Sequence, residues 1–163
     1  MRTRFVVVAS LILCLLVGCT QDQGSILLTE ETATEYLQEF YAAGMDNDLE
    51  TAVNYVFYPE ERREECRYAF THGGVLVNSY DILDCKKINE NLFAFAMEAQ
   101  SIHTEATGIP DHYYNFVMRF EDRLYVVTNS NNVPDSICDS SVLVEYSHST
   151  EDSLGQEDIV GKL

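Results

Sequence analysis

The apolar residues of this chain follow two spacings, one in its first half and one in its second. Between residues 29 and 70 they recur every three or four positions, which indicates amphipathic helices. Between residues 80 and 129 they recur every second position, which indicates strands. Helices followed by strands predict an α+β fold, in which N-terminal helices pack on a curved antiparallel sheet of about four strands.

Three helices are predicted. The first begins at Thr29, whose hydroxyl suits an N-cap, and ends near Gly44. The second begins at Asp46 or Asp48 and runs to Pro59, and the third covers residues 60 to about 70. The apolar stripes of the three helices consist of Ala33, Tyr36, Leu37, Phe40 and Tyr41, then Leu49, Ala52, Val53, Val56 and Phe57, then Cys66, Ala69 and Phe70.

Four strands are predicted at residues 80–88, 92–101, 113–120 and 124–129, with a tight turn at Glu121-Asp122-Arg123. The second strand is apolar on both faces, so both faces of the sheet are expected to be covered. Val142-Leu143-Val144 is a candidate short fifth strand, and the remaining C-terminal residues are polar and acidic.

The N-terminus has the pattern of an export signal. Arg2 and Arg4 precede an apolar run over residues 5–17, which is shorter than the roughly 20 residues that cross a bilayer. The run ends in Leu16-Val17-Gly18-Cys19, which resembles the lipobox of bacterial lipoproteins. The resemblance implies cleavage before Cys19, a diacylglyceryl group on its thiol and a membrane anchor on the extracytoplasmic side.

Export permits disulfides, and three cysteines other than Cys14 and Cys19 remain: Cys66, Cys85 and Cys138. They allow one bridge at most within a monomer, and the sequence does not choose among the three pairings. None of them belongs to a CxxC motif, so neither redox nor zinc chemistry is favoured.

The formal net charge of the chain is −17. The exported part is more acidic still, because cleavage of the signal removes Arg2 and Arg4. Such a charge disfavours binding to nucleic acid, whose phosphates need basic neutralisation. It also disfavours lying flat on an anionic lipid surface. The partners expected are therefore the membrane through Cys19, an envelope protein or peptide, a small apolar ligand or a second copy of the chain.

Paired helices with a break at residues 44–48, followed by a meander that ends in the hairpin at residues 120–127, are similar to the nuclear-transport-factor-two-like superfamily. The resemblance implies a cone-shaped domain over residues 28–133, after a signal at 1–18 and a lipidated spacer at 19–27, and before an acidic, partly disordered tail at 134–163. A cystatin-like sheet on one long helix is the alternative, and the break after Gly44 disfavours it.

Enzymes of that superfamily that resemble ketosteroid isomerase place a carboxylate base inside an apolar cone. No residue here matches their site one to one, and no catalytic residue or cofactor is predicted. Polar residues on the predicted strands that could face such a cavity are Tyr80, Asp81, Asp84, Glu98, Tyr114 and Asn115. The expected function is a non-catalytic binding or accessory module. A small isomerase or hydrolase is the alternative, and a self-associating structural module is a third hypothesis.

Four residues whose side chains can bind metal ions lie close together in the sequence, around the loop between the second and third strands, but their spacing matches no zinc motif. They are His103, Glu105, Asp111 and His112. The segment Asp46-Asn47-Asp48-Leu49-Glu50 resembles the start of a calcium loop, but Thr51 replaces the glycine such a loop requires, so a helix cap is the preferred interpretation. The acids and arginines of residues 60–67 are interpreted as a solvated helix face.

Overall fold

The computed structural model describes residues 27–73, 77–101 and 110–147 of the 163-residue chain. It has the predicted α+β fold, with helices packed against a four-stranded antiparallel sheet. Its helices are α1 (Glu30–Met45), α2 (Leu49–Ala52), α3 (Arg63–Gly73) and α4 (residues 140–147). Its strands are β1 (Val77–Asn89), β2 (Leu92–Ser101), β3 (Asp111–Phe120) and β4 (Arg123–Val127).

Helix α1 begins where its sequence predicts. The Thr29 hydroxyl accepts a 3.2 Å hydrogen bond from the Thr32 backbone N–H, and the Thr32 hydroxyl accepts one of 2.9 Å from the Thr29 N–H. This reciprocal capping box satisfies two amides that the helix leaves unpaired. The predicted stripe faces the sheet, with Ala33, Leu37, Phe40 and Tyr41 buried, and the helix runs one residue past Gly44 to Met45.

The second predicted helix is only one α-helical turn long. Asp48 caps it by accepting a 3.1 Å hydrogen bond from the Thr51 backbone N–H, as the cap interpretation predicts. A 3-10 turn (Val53–Tyr55) follows, and Val56 then forms a parallel bridge with Val126 of β4. The edge strand β4 offers unpaired backbone groups, and a β-branched residue favours pairing with them over continuing the helix.

The strands form a meander in the order β1-β2-β3-β4. The turn between β3 and β4 lies at Glu121 and Asp122, as predicted, and both residues have positive φ (49° and 57°). Two successive positive φ values characterise the tight turn whose twist matches that of the adjoining strands. Strand β2 has the predicted bounds, while β1 and β3 begin earlier than predicted, at Val77 and Asp111.

Helices cover the two faces of the sheet. The α1 face carries Phe93, Phe95 and Met97 of β2, which pack with α1 in one apolar cluster. The α4 face carries Leu92 and Ala94 of the same strand, together with Phe116, Met118, Val127 and two residues of α4, Leu143 and Tyr146. The expectation that both faces are covered is confirmed, because the alternating residues of β2 enter two separate cores.

The fifth strand predicted at Val142-Leu143-Val144 is wrong, because these residues lie in α4. Leu143 and Tyr146, one helical turn apart, are fully or nearly fully buried, whereas Val142 and Val144 are exposed. The three-residue spacing of the buried positions outweighs the strand preference of the two valines. The packed domain therefore extends beyond Val133 to at least residue 147, and the rest of the predicted acidic tail, residues 148–163, lies outside the described residues.

Candidate functional site

A cavity of about 460 Å³ lies between α1, α3 and the α1 face of the sheet, and it is called here the α1 cavity. This volume falls within the range of small-molecule sites. Its apolar lining consists of Phe40, Leu49, Ala69, Phe70 and Val77. The stripe predicted for the third helix, Cys66, Ala69 and Phe70, therefore faces an open cavity, and Ala69 remains exposed as a result.

Gly44 keeps one wall of the α1 cavity open. It lies in α1 one turn after Phe40 and Tyr41, on the same face of the helix. A Cβ added at Gly44 would meet no atom within 4 Å, and the residue has ordinary helical geometry. The glycine is therefore not required by the backbone or by close packing, and its effect is to leave space.

The polar lining of the α1 cavity is centred on Asn115, the only buried polar residue of the described segments, which is 4% exposed. Its Nδ2 donates a 2.7 Å hydrogen bond to the Tyr41 hydroxyl oxygen. Burial raises the pKa of Tyr41 to about 12, although the hydrogen bond from Asn115 acts in the opposite direction. The phenol is thus neutral at physiological pH, and its proton can be donated to a ligand.

Aromatic rings hold this pair in place. The rings of Tyr41 and Tyr80 stack with centroids 4.5 Å apart, and Tyr41 meets Phe40 edge to face at 5.2 Å. At the beginning of β3, the Tyr113 hydroxyl donates a 3.1 Å hydrogen bond to Asp111 Oδ2, and Tyr113 also lines the cavity. The Asn115–Tyr41 pair is therefore a preorganised polar group inside an apolar surround. The remaining polar lining residues are Tyr58, Cys66 and Thr128.

The candidate catalytic residues divide between the two faces of the sheet. Tyr80 and Asn115 lie opposite Ala99 and Phe95 of β2, on the α1 face. Asp81 pairs with Glu98, and Asp84 with Ala96, on the α4 face, where Ala96 in turn pairs with Tyr114. The expectation that these three carboxylates could face the cavity is therefore wrong. Alternation along the strands directs them away from it, and Asp84 instead accepts a 2.9 Å hydrogen bond from the Tyr146 hydroxyl.

The two metal-ligand candidates among the described residues do not lie together. Asp111 pairs with Ala99 and His112 with Glu98, so the two neighbours lie on opposite faces of the sheet. Within the described residues, no group of three histidine, cysteine or acidic side chains is arranged to hold a metal ion. His103 and Glu105 lie outside the described residues, as does the lipidation candidate Cys19.

The three candidate disulfide cysteines are free thiols in this structure. Cys85 packs on the α1 face and Cys138 against the core of the α4 face, so the sheet separates them. Burial, and secondarily the charges of Glu30 and Asp84, raises the pKa of Cys85 to about 11, which keeps this thiol protonated. Burial likewise raises the pKa of Cys138. Cys66 differs in position, because it lines the α1 cavity.

Several residues of the cavity have roles that the sequence pattern did not indicate. Tyr41 was predicted as a core residue of α1 and Gly44 as its end, and both line the cavity. Their spacing of three residues places them on one face, but a helical stripe that borders a cavity looks the same as one that enters a core. Asn115 is among the residues that the sequence indicated, and it is the polar member of the buried stretch Asn115 to Met118 of β3.

No family model matches the chain, and a search of curated proteins finds no relative. None of the helices in the described segments is long and apolar enough to cross a membrane.

Proposed function

We propose that this protein is a binding module, and that the α1 cavity holds a small, largely apolar molecule without transforming it. The observation that carries the proposal is the cavity itself, about 460 Å³ of space with an apolar wall and one buried polar pair. Ligand sites in proteins commonly combine a mostly apolar lining with a few fixed polar groups.

The polar pair gives the proposed ligand an orientation. Tyr41 accepts from Asn115 and retains its own proton, so it can donate one hydrogen bond to a ligand oxygen. A molecule with an apolar body and a single carbonyl or hydroxyl group matches this arrangement. Asp81, Asp84 and Glu98 lie on the α4 face, so they are not positioned to act as a general base on a molecule in the α1 cavity.

The layout of the domain supports a place in the nuclear-transport-factor-two-like superfamily. Paired N-terminal helices followed by a four-stranded meander are compatible with that cone-shaped fold. In a cone of this type the helices and the sheet enclose a pocket, and the α1 cavity likewise lies between helices and the sheet. The superfamily contains both binding modules and enzymes, so the layout supports a pocket and the side chains decide its use.

The site of action proposed for the module is the outer face of a membrane, reached through a lipid on Cys19. The sequence Leu16-Val17-Gly18-Cys19 after a short apolar run supports this. Cys19→Ala is expected to abolish incorporation of labelled fatty acid into the full chain, with Cys14→Ala as the matched control. Label retained by Cys19→Ala would contradict the anchor and leave the cavity proposal intact.

The binding proposal is tested by filling the cavity. Gly44→Phe is expected to occupy it from α1 without a backbone clash, whereas Ala42→Phe adds the same ring to an exposed position of the same helix. The full chain is purified in nonionic detergent, and the small molecules that remain bound are extracted and measured by mass spectrometry. We expect one compound in near-stoichiometric amount in the wild type and in Ala42→Phe, and at least about fivefold less in Gly44→Phe.

Equal amounts in all three proteins, or no bound compound in the wild type, would contradict the binding proposal. Incubation of the extracted compound with fresh protein tests whether the bound molecule is left unchanged, as proposed. Its conversion to a product would show that the module is an enzyme.

A further inference from the structure

Three arginines line a second cavity, of about 340 Å³, on the side of the molecule where β4 ends the sheet. It is called here the arginine cavity. Its cationic residues are Arg63, Arg67 and Arg123, and the aromatic residues Phe57, Tyr58 and Tyr125 line it as well. Only Tyr58 also lines the α1 cavity, so the two sites are distinct.

The fold brings these arginines together from two elements. Arg63 and Arg67 are four residues apart on α3, so they project from one side of that helix. Arg123 is the first residue of β4, directly after the tight turn. The backbone N–H of Phe57 donates a 2.9 Å hydrogen bond to the carbonyl oxygen of Val126, which fixes the segment before α3 alongside β4.

The positive charge of the arginine cavity is weakly compensated. Arg67 donates a 3.2 Å hydrogen bond to the neutral Asn54 Oδ1, and the Arg123 guanidinium lies 5.5 Å from the centre of the Tyr125 ring. Arg63 forms a 2.8 Å ion pair with Glu60, but both side chains are at least half exposed. Water screens such a pair strongly.

This concentration of charge contrasts with the rest of the chain. The sequence has 27 acidic and 10 basic residues, yet the residues that line this cavity include three arginines and no carboxylate. The sequence pattern of α3, with acids and arginines interleaved, predicted only a solvated helix face. Arg123, distant in sequence, changes that interpretation, because it lines the same cavity as Arg63 and Arg67, and an anion bound there would be attracted by all three charges.

We propose that the arginine cavity binds the oxyanion group, carboxylate or phosphate, of a small molecule that has an aromatic or aliphatic body. The planar guanidinium fork matches both kinds of oxyanion through paired hydrogen bonds. The apolar wall, which includes Val53 and Val56, accommodates the body. The volume admits a molecule about the size of a single substituted ring.

The test is calorimetric titration of the full chain in nonionic detergent with benzoate, phenyl phosphate and the neutral benzyl alcohol. We expect saturable binding of at least one anion, weakening as salt is raised, and at least about tenfold weaker binding of the alcohol. Comparison of benzoate with phenyl phosphate identifies which oxyanion the site prefers.

Variants locate the site. Arg67→Gln and Arg123→Gln are each expected to weaken anion binding by about tenfold or more. Arg62→Gln is the matched control, since it removes the same charge from an exposed position next to Arg63 and does not line the cavity. Arg123→Lys preserves charge without the fork and is expected to bind with intermediate affinity.

Absence of anion binding to the wild type, or equal weakening by Arg62→Gln and Arg67→Gln, would overturn the proposal. Circular dichroism of each variant separates loss of binding from loss of fold, and if Arg67→Gln does not fold, Arg123→Gln decides the result. Gly44→Phe, which fills the α1 cavity, is expected to bind the anion as the wild type does, so this test and that of the proposed function fail independently.

Discussion

At the scale of single residues, the buried pair of Asn115 and Tyr41 is the polar feature with the clearest energetic consequence. A buried polar group that loses its partner retains the cost of its desolvation. We therefore expect Tyr41→Phe to lower the free energy of unfolding by about 1–2 kcal/mol, since Asn115 Nδ2 would lose its acceptor. Urea unfolding of the full chain measures the change.

The stacked neighbour of Tyr41 supplies the control. Tyr80→Phe also removes a phenol hydroxyl on the α1 face, but no hydrogen bond of that hydroxyl occurs within the described residues, so we expect a change within about 0.5 kcal/mol. In the double variant Tyr41→Phe with Asn115→Leu, the effects should be less than additive. Full additivity would show that the 2.7 Å contact does not couple the two residues.

Gly44 is the residue at which stability and the proposed function oppose each other. Gly44→Ala is expected to raise the free energy of unfolding by about 0.5–1 kcal/mol, because alanine restricts the unfolded chain and its Cβ meets open space here. Urea unfolding again provides the measurement. A loss of stability would mean that this position is strained or closely packed, contrary to the geometry described above.

At the scale of secondary-structure elements, the helices and strands with long and regular apolar periods were predicted correctly. Helix α1 has a capping residue, an apolar stripe and a glycine near its end, and the β2 residues Leu92 to Phe95 enter the two apolar cores in turn. The helix predicted from Leu49 to Phe57 is shorter than expected, because Val56 pairs with Val126 at the edge of β4 and does not continue the helix. The choice between helix and strand pairing at Val56 depends on a strand about 70 residues further along the chain. The spacing of the neighbouring residues carries no information about that strand.

The position of α4 against the sheet can be tested by substituting one buried and one exposed residue of this helix. Leu143 is completely buried on the α4 face, and Val144 next to it is 45% exposed. We expect Leu143→Ala to cost about 2–4 kcal/mol, the range for truncation of a buried leucine. Val144→Ala should change stability by less than about 0.5 kcal/mol. Thermal or urea unfolding distinguishes them, and equal small effects would mean that α4 does not contribute to the core.

At the scale of the whole molecule, the α+β class followed from the order of the two apolar periods, whereas the position of the sites did not. The cavities depend on which face each strand residue occupies and on where α3 lies relative to β4. One example is the separation of Asp81 from Asn115, which became clear only from the strand register. Another is Arg123, which joins Arg63 and Arg67 through a tertiary contact that no local motif encodes.

Three tyrosines from the helical half of the molecule link its stability to alkaline pH. Burial is the largest cause that raises the pKa of Tyr36, Tyr41 and Tyr58, each to about 12 from an ordinary value of 10. Between these values the unfolded chain releases the phenol protons while the folded protein retains them. The folded state then binds more protons, so the free energy of unfolding falls as pH rises.

We therefore expect the contribution of these groups to stability to be complete and independent of pH below about pH 9, to decrease between pH 10 and 12, and to be lost above pH 12. Tyr41 is the most buried of the three, and a rise of its pKa from 10 to about 12 corresponds to about 3 kcal/mol of this decrease. Urea unfolding at stepped pH, with tyrosinate absorbance followed in the folded protein, measures both quantities. Tyr41→Phe should flatten the decrease, whereas Tyr68→Phe, at an exposed tyrosine of α3, should leave it unchanged. A stability that rises from pH 10 to 12, or an equal flattening by both variants, would contradict the burial of these phenols.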